Sequence, residues 1–184
     1  MAYGFPIKRM IFWGGLAAVI WAGQQMGLLS SSQSAAVAGT NSSNNVIQVP
    51  TADQSMQEAL ETARASLPTF LEAAANAPAS WQTVTIKVAL EGETQIENIW
   101  VADFHQDGAD QYRGRLSNDP VDLPGMKAGD EVQFSYAQIK DWAFVEDGRG
   151  YGFYSVRAML PMMDEAQANG MRAFLAEDPL PKGW

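Results

Sequence analysis

Chemistry in a chain without cysteine and with one histidine falls mainly to carboxylates, amides and the aromatics beside them. The 184 residues contain no Cys and a single His. Disulfides, thiolate metal sites and cysteine nucleophiles are therefore excluded together. A histidine-activated serine would have to use His105, which sits in Asp103-Phe104-His105-Gln106-Asp107-Gly108-Ala109-Asp110. That run imitates the opening of a calcium loop, but its twelfth position is Gly114 where such a loop needs a bidentate Glu. A turn built of ordinary turn residues explains it better, and neither a metal nor a cofactor is expected. The sequence also lacks a Gly-x-Ser-x-Gly elbow, a Gly-rich phosphate loop and a His-Glu-x-x-His helix.

What remains lies between Glu97 and Arg157. Trp100, Trp142 and Tyr154 could line an aromatic cleft, with Asp141 and Arg157 as its charged groups. Asn118, in Asn118-Asp119-Pro120, could present an amide to a ligand from a loop. The candidate binding set is thus Trp100, Asn118, Asp141, Trp142 and Arg157, and no catalytic residue is assigned. A hydrolase-like alternative would use Asp141 or Glu97 as its carboxylate in that cleft. Plainer roles compete at each position and are favoured. Asn118 and Asp119 suit a turn that Pro120 closes. Trp142 suits a core position with a partner for its indole N–H. Arg157 and Asp141 could form a purely structural ion pair.

These residues need elements to hold them. Ser55-Met56-Gln57-Glu58 has capping-box spacing. Met56, Leu60, Ala63, Leu67, Phe70, Leu71 and Ala74 follow at helical intervals, and Pro68 should kink that helix or start a second one. Thr83–Glu91 alternates as a half-buried strand. Gln95–Phe104 blurs the alternation, as a strand covered on both faces or carrying a bulge would. Further strands are expected around Tyr112–Ser117, Glu131–Tyr136, Trp142–Glu146 and Tyr151–Arg157, with a closing helix beyond Pro161 that Gly170 weakens. The fold class is α+β: an N-terminal helix, a curved or partly closed antiparallel sheet of five or six strands, and a C-terminal helix.

The first 52 residues have a different character. Lys8 and Arg9 precede an apolar run from Met10 to Gly23, the pattern of an export signal. Two fates fit it. A peptidase could cut near Ala38, releasing a secreted or periplasmic domain. Alternatively, Met10–Leu29 stays as a single-pass inner-membrane anchor, its 20 residues reaching across a core of about 30 Å. Length favours the anchor, and the basic flank then directs the C-terminal domain to the periplasm or cell exterior. The expected organisation is anchor 1–29, Ser/Asn/Gln-rich tether 30–52 and globular domain 53–184.

Of 12 basic residues, Lys8 and Arg9 belong to the leader, so 10 face 21 acidic residues in the remainder, a net charge of −11. Such a domain repels phosphate backbones, and no nucleic-acid partner is expected.

Glu97-Asn98-Ile99-Trp100-Val101, Gly114-Arg115-Leu116-Ser117-Asn118-Asp119-Pro120, Gly129-Asp130-Glu131-Val132, Ile139-Lys140-Asp141-Trp142 and Gly152-Phe153-Tyr154-Ser155-Val156-Arg157 occur in this order. Together they resemble the YegJ-like family of uncharacterised bacterial proteins over roughly Ala63 to Leu160. Asn98 departs from the Glu-His-Ile-Trp run expected of that family. The resemblance implies one compact domain and no particular reaction. The sequence thus points to an exported, membrane-tethered envelope domain with a non-enzymatic binding or accessory role, taking a small ligand or an envelope protein. A docking subunit of a larger complex is a further possibility.

Overall fold

A computed structural model describes residues 51–184, with side chains from Gln54 onward. Residues 1–50, with the leader and most of the expected tether, lie outside the described residues, while Thr51 and Ala52, expected in the tether, begin the first helix. Helix α1, Thr51–Ala75, begins ahead of the expected capping box, so Ser55 lies within it. The helix also continues through Pro68 as one element. Ala63, Leu67 and Phe70 form its buried stripe, the spacing of one helical face.

Six antiparallel strands follow: β1 Gln82–Glu91, β2 Ile96–Gln106, β3 Gln111–Leu116, β4 Glu131–Ser135, β5 Ile139–Glu146 and β6 Arg149–Gly152. Their order is β4-β3-β2-β1-β5-β6, an open sheet with β4 and β6 at its edges rather than a partly closed one. A short helix α2, Tyr154–Met159, and helix α3, Glu165–Phe174, complete the described chain. Asp164 caps α3 by accepting from the Gln167 N–H at 2.9 Å. Gly170 inside α3 meets nothing within 4 Å of where a Cβ would stand, so it costs propensity without breaking the helix.

The sheet buries both faces. On the face toward α1, Ile86, Val88, Ile99, Val101, Tyr112, Leu116, Phe134, Trp142 and Phe144 pack with the α1 stripe. Phe70 stacks on Trp142 at 4.7 Å between ring centres, and Trp184 closes over Trp142 and Phe144. On the opposite face, Met171 and Leu175 pack with Trp100, Ala143, Phe153 and Val156.

Bulges decide which residues reach which face. In β2, the register shifts between Ala102 and His105, where Asp103 takes a φ of 49°. The extra residue lets Phe104 join Val101 on the α1 face, which explains the blurred alternation of this strand. Gly114, opposite the bulge, leaves the room that the Val101 side chain occupies, since a Cβ there would collide with it. In β5, Asp141 pairs with Lys87 while Ile139 pairs with Val88, leaving Lys140 as the extra residue. Ile139 therefore joins the α1 core while Asp141, two residues on, points to the other side of the sheet.

The strand expected over Tyr151–Arg157 is corrected by the structure. Pairing stops at Gly152, where Gly152 and Phe153 both take left-handed φ values, 71° and 53°. Helix α2 then occupies the sheet edge alongside the first half of β5.

Candidate functional site

Asp141 stands at the centre of a buried polar cluster. Its Oδ1 accepts from the backbone N–H of Trp142 at 2.8 Å and of Tyr154 at 3.2 Å. Its Oδ2 accepts from the Ser155 N–H and from the Ser155 hydroxyl, both at 2.7 Å. Lys87 Nζ, from the neighbouring strand β1, donates to Ser155 Oγ at 3.2 Å and lies 5.6 Å from the centre of the Trp100 ring. Exposure is 1% at Asp141, 2% at Ser155 and 8% at Lys87, so solvent does not reach the cluster's functional atoms. Sequence reasoning missed Lys87 and Ser155. Lys87 carried a signal, because Thr83–Glu91 alternates cleanly and places a lysine on the second face of a strand buried on both.

Burial pushes the Asp141 carboxyl up and the Lys87 ammonium down, and each charge pulls the other back. The bonding pattern decides the balance. Three of the four Asp141 partners are backbone N–H groups that can only donate, an arrangement that suits an ionised carboxylate. The Ser155 hydroxyl thus donates to Asp141 and accepts from Lys87, bridging a charge pair inside the protein. A serine nucleophile would hand its proton to a base beside an open substrate site. Ser155 instead gives its hydrogen bond to a carboxylate already filled by backbone donors.

Of the other candidates, Trp100 meets this cluster through Lys87 and Trp142 through its backbone N–H, but the candidate side chains do not converge on one site. Arg157 does not pair with Asp141. Its Nε donates to the Gly152 carbonyl at 2.8 Å and a terminal nitrogen to the Gly150 carbonyl at 3.3 Å, and burial lowers its pKa. Trp142 is on the α1 face, its indole N–H donating to Ala63 O at 3.2 Å and Ser66 Oγ at 3.0 Å. Trp100, paired with Lys87, is on the opposite face. The cleft of Trp100, Trp142 and Tyr154 therefore does not form. Tyr154 packs edge-on against Trp142 alone, 5.6 Å away.

Glu97 and Asp141 are likewise on opposite faces, since Glu97 alternates with Ile99 and Val101, so the two carboxylates share no site. Glu97 instead accepts from the Val121 N–H at 2.9 Å and the Asp122 N–H at 2.8 Å. Asp122 in turn accepts from the Thr94 N–H at 3.0 Å and the Gln95 N–H at 2.8 Å. Asn118 is buried in the same loop and donates to the Asp119 carbonyl at 3.1 Å, while Asp119 accepts from the Ala128 N–H at 2.9 Å. These side chains tie the 117–130 loop to the β1–β2 turn. Among the described residues, no group of three or more His, Cys, Asp or Glu could hold a metal ion.

An open groove of about 580 Å³ lies on another part of the surface, lined by Arg149 of β6, Arg157 of α2, Arg172 of α3, Tyr151, Leu160 and Leu175, with Glu177 among its walls. Its floor is stitched by a parallel bridge between Gly150 and Leu175, the Ala176 N–H donating to Gly150 O at 2.9 Å.

A protein-family model described as an uncharacterized protein conserved in bacteria, DUF2314, matches residues 53–173. The chain belongs to this family. It is 25% identical over 122 residues to the uncharacterized protein YegJ of Escherichia coli K12, covering 66% of this chain and 78% of that relative. It is also 35% identical over 71 residues to a Neisseria meningitidis protein named for ankyrin repeats, covering 39% of this chain and 28% of that protein's length. No solved structure matches. Four of the runs that carry the resemblance, Glu97–Val101, Gly114–Pro120, Ile139–Trp142 and Gly152–Arg157, supply residues to the loop tie or to the buried cluster. In this DUF2314 domain their roles are internal.

Proposed function

We propose that the chain is a non-enzymatic binding domain of the bacterial cell envelope, held at the inner membrane through Met10–Leu29 and taking a small ligand or an envelope protein on its surface. One observation carries the reading. The carboxylates that could do chemistry, Asp141 and Glu97, both bond to internal backbone donors and lie on opposite faces of the sheet. Paired acid–base work needs two such groups at one open site. The basic flank, apolar run and uncharged tether ahead of Asp53 support the envelope location. Among the described residues, no helix is long and apolar enough to cross a membrane.

Fusion of alkaline phosphatase after Trp184, expressed in a bacterial host, tests the location. An active fusion is expected, because this enzyme needs disulfides that form outside the cytoplasm; a fusion that is made but inactive contradicts export. Asp141→Asn and Ser155→Ala test the non-enzymatic half. Both should lose stability while keeping surface binding. A folded Ser155→Ala chain that lost a cellular phenotype would favour the hydrolase-like alternative.

A further inference from the structure

The groove between β6, α2 and α3 has a charge opposite to that of the domain around it. Three of the 10 basic residues that follow the leader, Arg149, Arg157 and Arg172, line it. Each comes from a different element, and each is held in place by a neutral oxygen. Arg149 donates to Ala173 O at 2.6 Å, Arg157 to Gly152 O at 2.8 Å, and Arg172 to Asn169 Oδ1 at 2.9 Å. Neutral acceptors fix a guanidinium's direction without cancelling its charge. Both ion pairs among the described residues belong to Arg113, with Asp107 and Glu131, so no carboxylate within 4.0 Å pairs with a groove arginine. A guanidinium has five N–H donors, and the bonds above leave several of them on each arginine. Leu160, Leu175 and Tyr151 give the same groove an apolar and aromatic wall, and its volume suits a small molecule.

We propose that this groove binds a small molecule bearing an oxyanion, a phosphate or carboxylate group, beside a short apolar or aromatic body. The inference rests on the reading of the chain as a binding domain and names the chemistry of its ligand. The oxyanion meets the free donors of Arg149 and Arg172 in the planar geometry that guanidinium offers, and Arg157 adds charge from the floor. The apolar body lies along Leu160 and Leu175. Glu177, on the same wall, disfavours ligands with a second negative charge at that end.

Calorimetric titration of the full chain in neutral detergent tests this with four probes: phenyl phosphate, benzoate, inorganic phosphate and benzyl alcohol. Phenyl phosphate or benzoate should bind, and whichever is tighter identifies the preferred oxyanion. Benzyl alcohol should not bind, and inorganic phosphate should bind roughly tenfold more weakly than phenyl phosphate, the loss of a modest apolar contact. Arg157→Gln removes bonds to two β6 carbonyls and is open to misfolding, so the variants to use are Arg149→Gln and Arg172→Gln, both exposed. Each should weaken the anion roughly tenfold, the worth of one charge-assisted bond, with an unchanged melting temperature. Raised salt should weaken it further.

No binding by either aromatic anion at millimolar concentration overturns the proposal, as does affinity unaffected in both arginine variants. Capture of an envelope protein by a chain that ignores all four probes would overturn the oxyanion assignment and leave the binding-domain reading standing.

Discussion

At Asp141 a carboxylate is buried against three backbone N–H groups and one hydroxyl, and Lys87 supplies the balancing charge through Ser155. Removing one member of such a pair leaves the other charged in a dry site, which costs far more than the pair is worth. Lys87→Met should therefore lower unfolding free energy by about 3–5 kcal/mol in urea titration, and a loss below 1 kcal/mol would mean that water reaches Asp141. The opposite sign is expected at Thr85. Its hydroxyl is buried with no hydrogen-bond partner, so the near-isosteric Thr85→Val should stabilise the protein by about 1 kcal/mol. Asp122 gives a pH signature. The N–H of Thr94, chiefly, and that of Gln95 hold its carboxyl below the ordinary value of 3.8. A depressed folded value means that the stabilisation is present above 3.8 and disappears as pH falls through the folded value. Acid unfolding of Asp122→Asn should consequently be shallower than that of the natural chain over that window.

Among the elements, α2 and the bulge in β5 do most to place the cluster. Gly152 makes the turn into α2 possible: its φ is 71°, and a Cβ would run into the Trp142 carbonyl and ring. Gly152→Ala should cost about 1–3 kcal/mol from backbone strain alone, seen as a lowered melting temperature. The same glycine explains what could be read ahead of the structure. The alternation of β1, the strand count and the antiparallel class were legible because they follow from a period of two and from turn residues. Tyr151–Arg157 was not, because its apolar and aromatic residues suit a strand as well as a helix. The choice was made by two left-handed residues and by a carboxylate arriving from β5. The separation of Trp100 from Trp142 was hidden for a related reason. Which face a residue takes depends on cross-strand register and on bulges at Asp103 and Lys140, and sequence spacing records neither. Ser55 failed as a cap because helical residues precede it, and Thr51 begins the helix instead.

Over the whole molecule, charge is divided between inside and outside. The chain after the leader is strongly acidic, while among the described residues the interior carries Lys87, Asp141 and Glu97, and the groove holds three arginines that donate to neutral oxygens. The buried charges are thereby tied into the fold, and the groove arginines are the ones we propose for a ligand. If α2 were instead a lid over an active site, the amides it presents to Asp141 would open locally and often. Native-state hydrogen exchange at the Ser155 N–H, which donates to Asp141 at 2.7 Å, distinguishes the two most directly. Protection equal to that of the slowest amides in β1 and β5, so that exchange occurs only on global unfolding, is the expected result. Exchange orders of magnitude faster than those core amides would reveal an opening site at Lys87, Asp141 and Ser155, and would contradict their assignment to the fold.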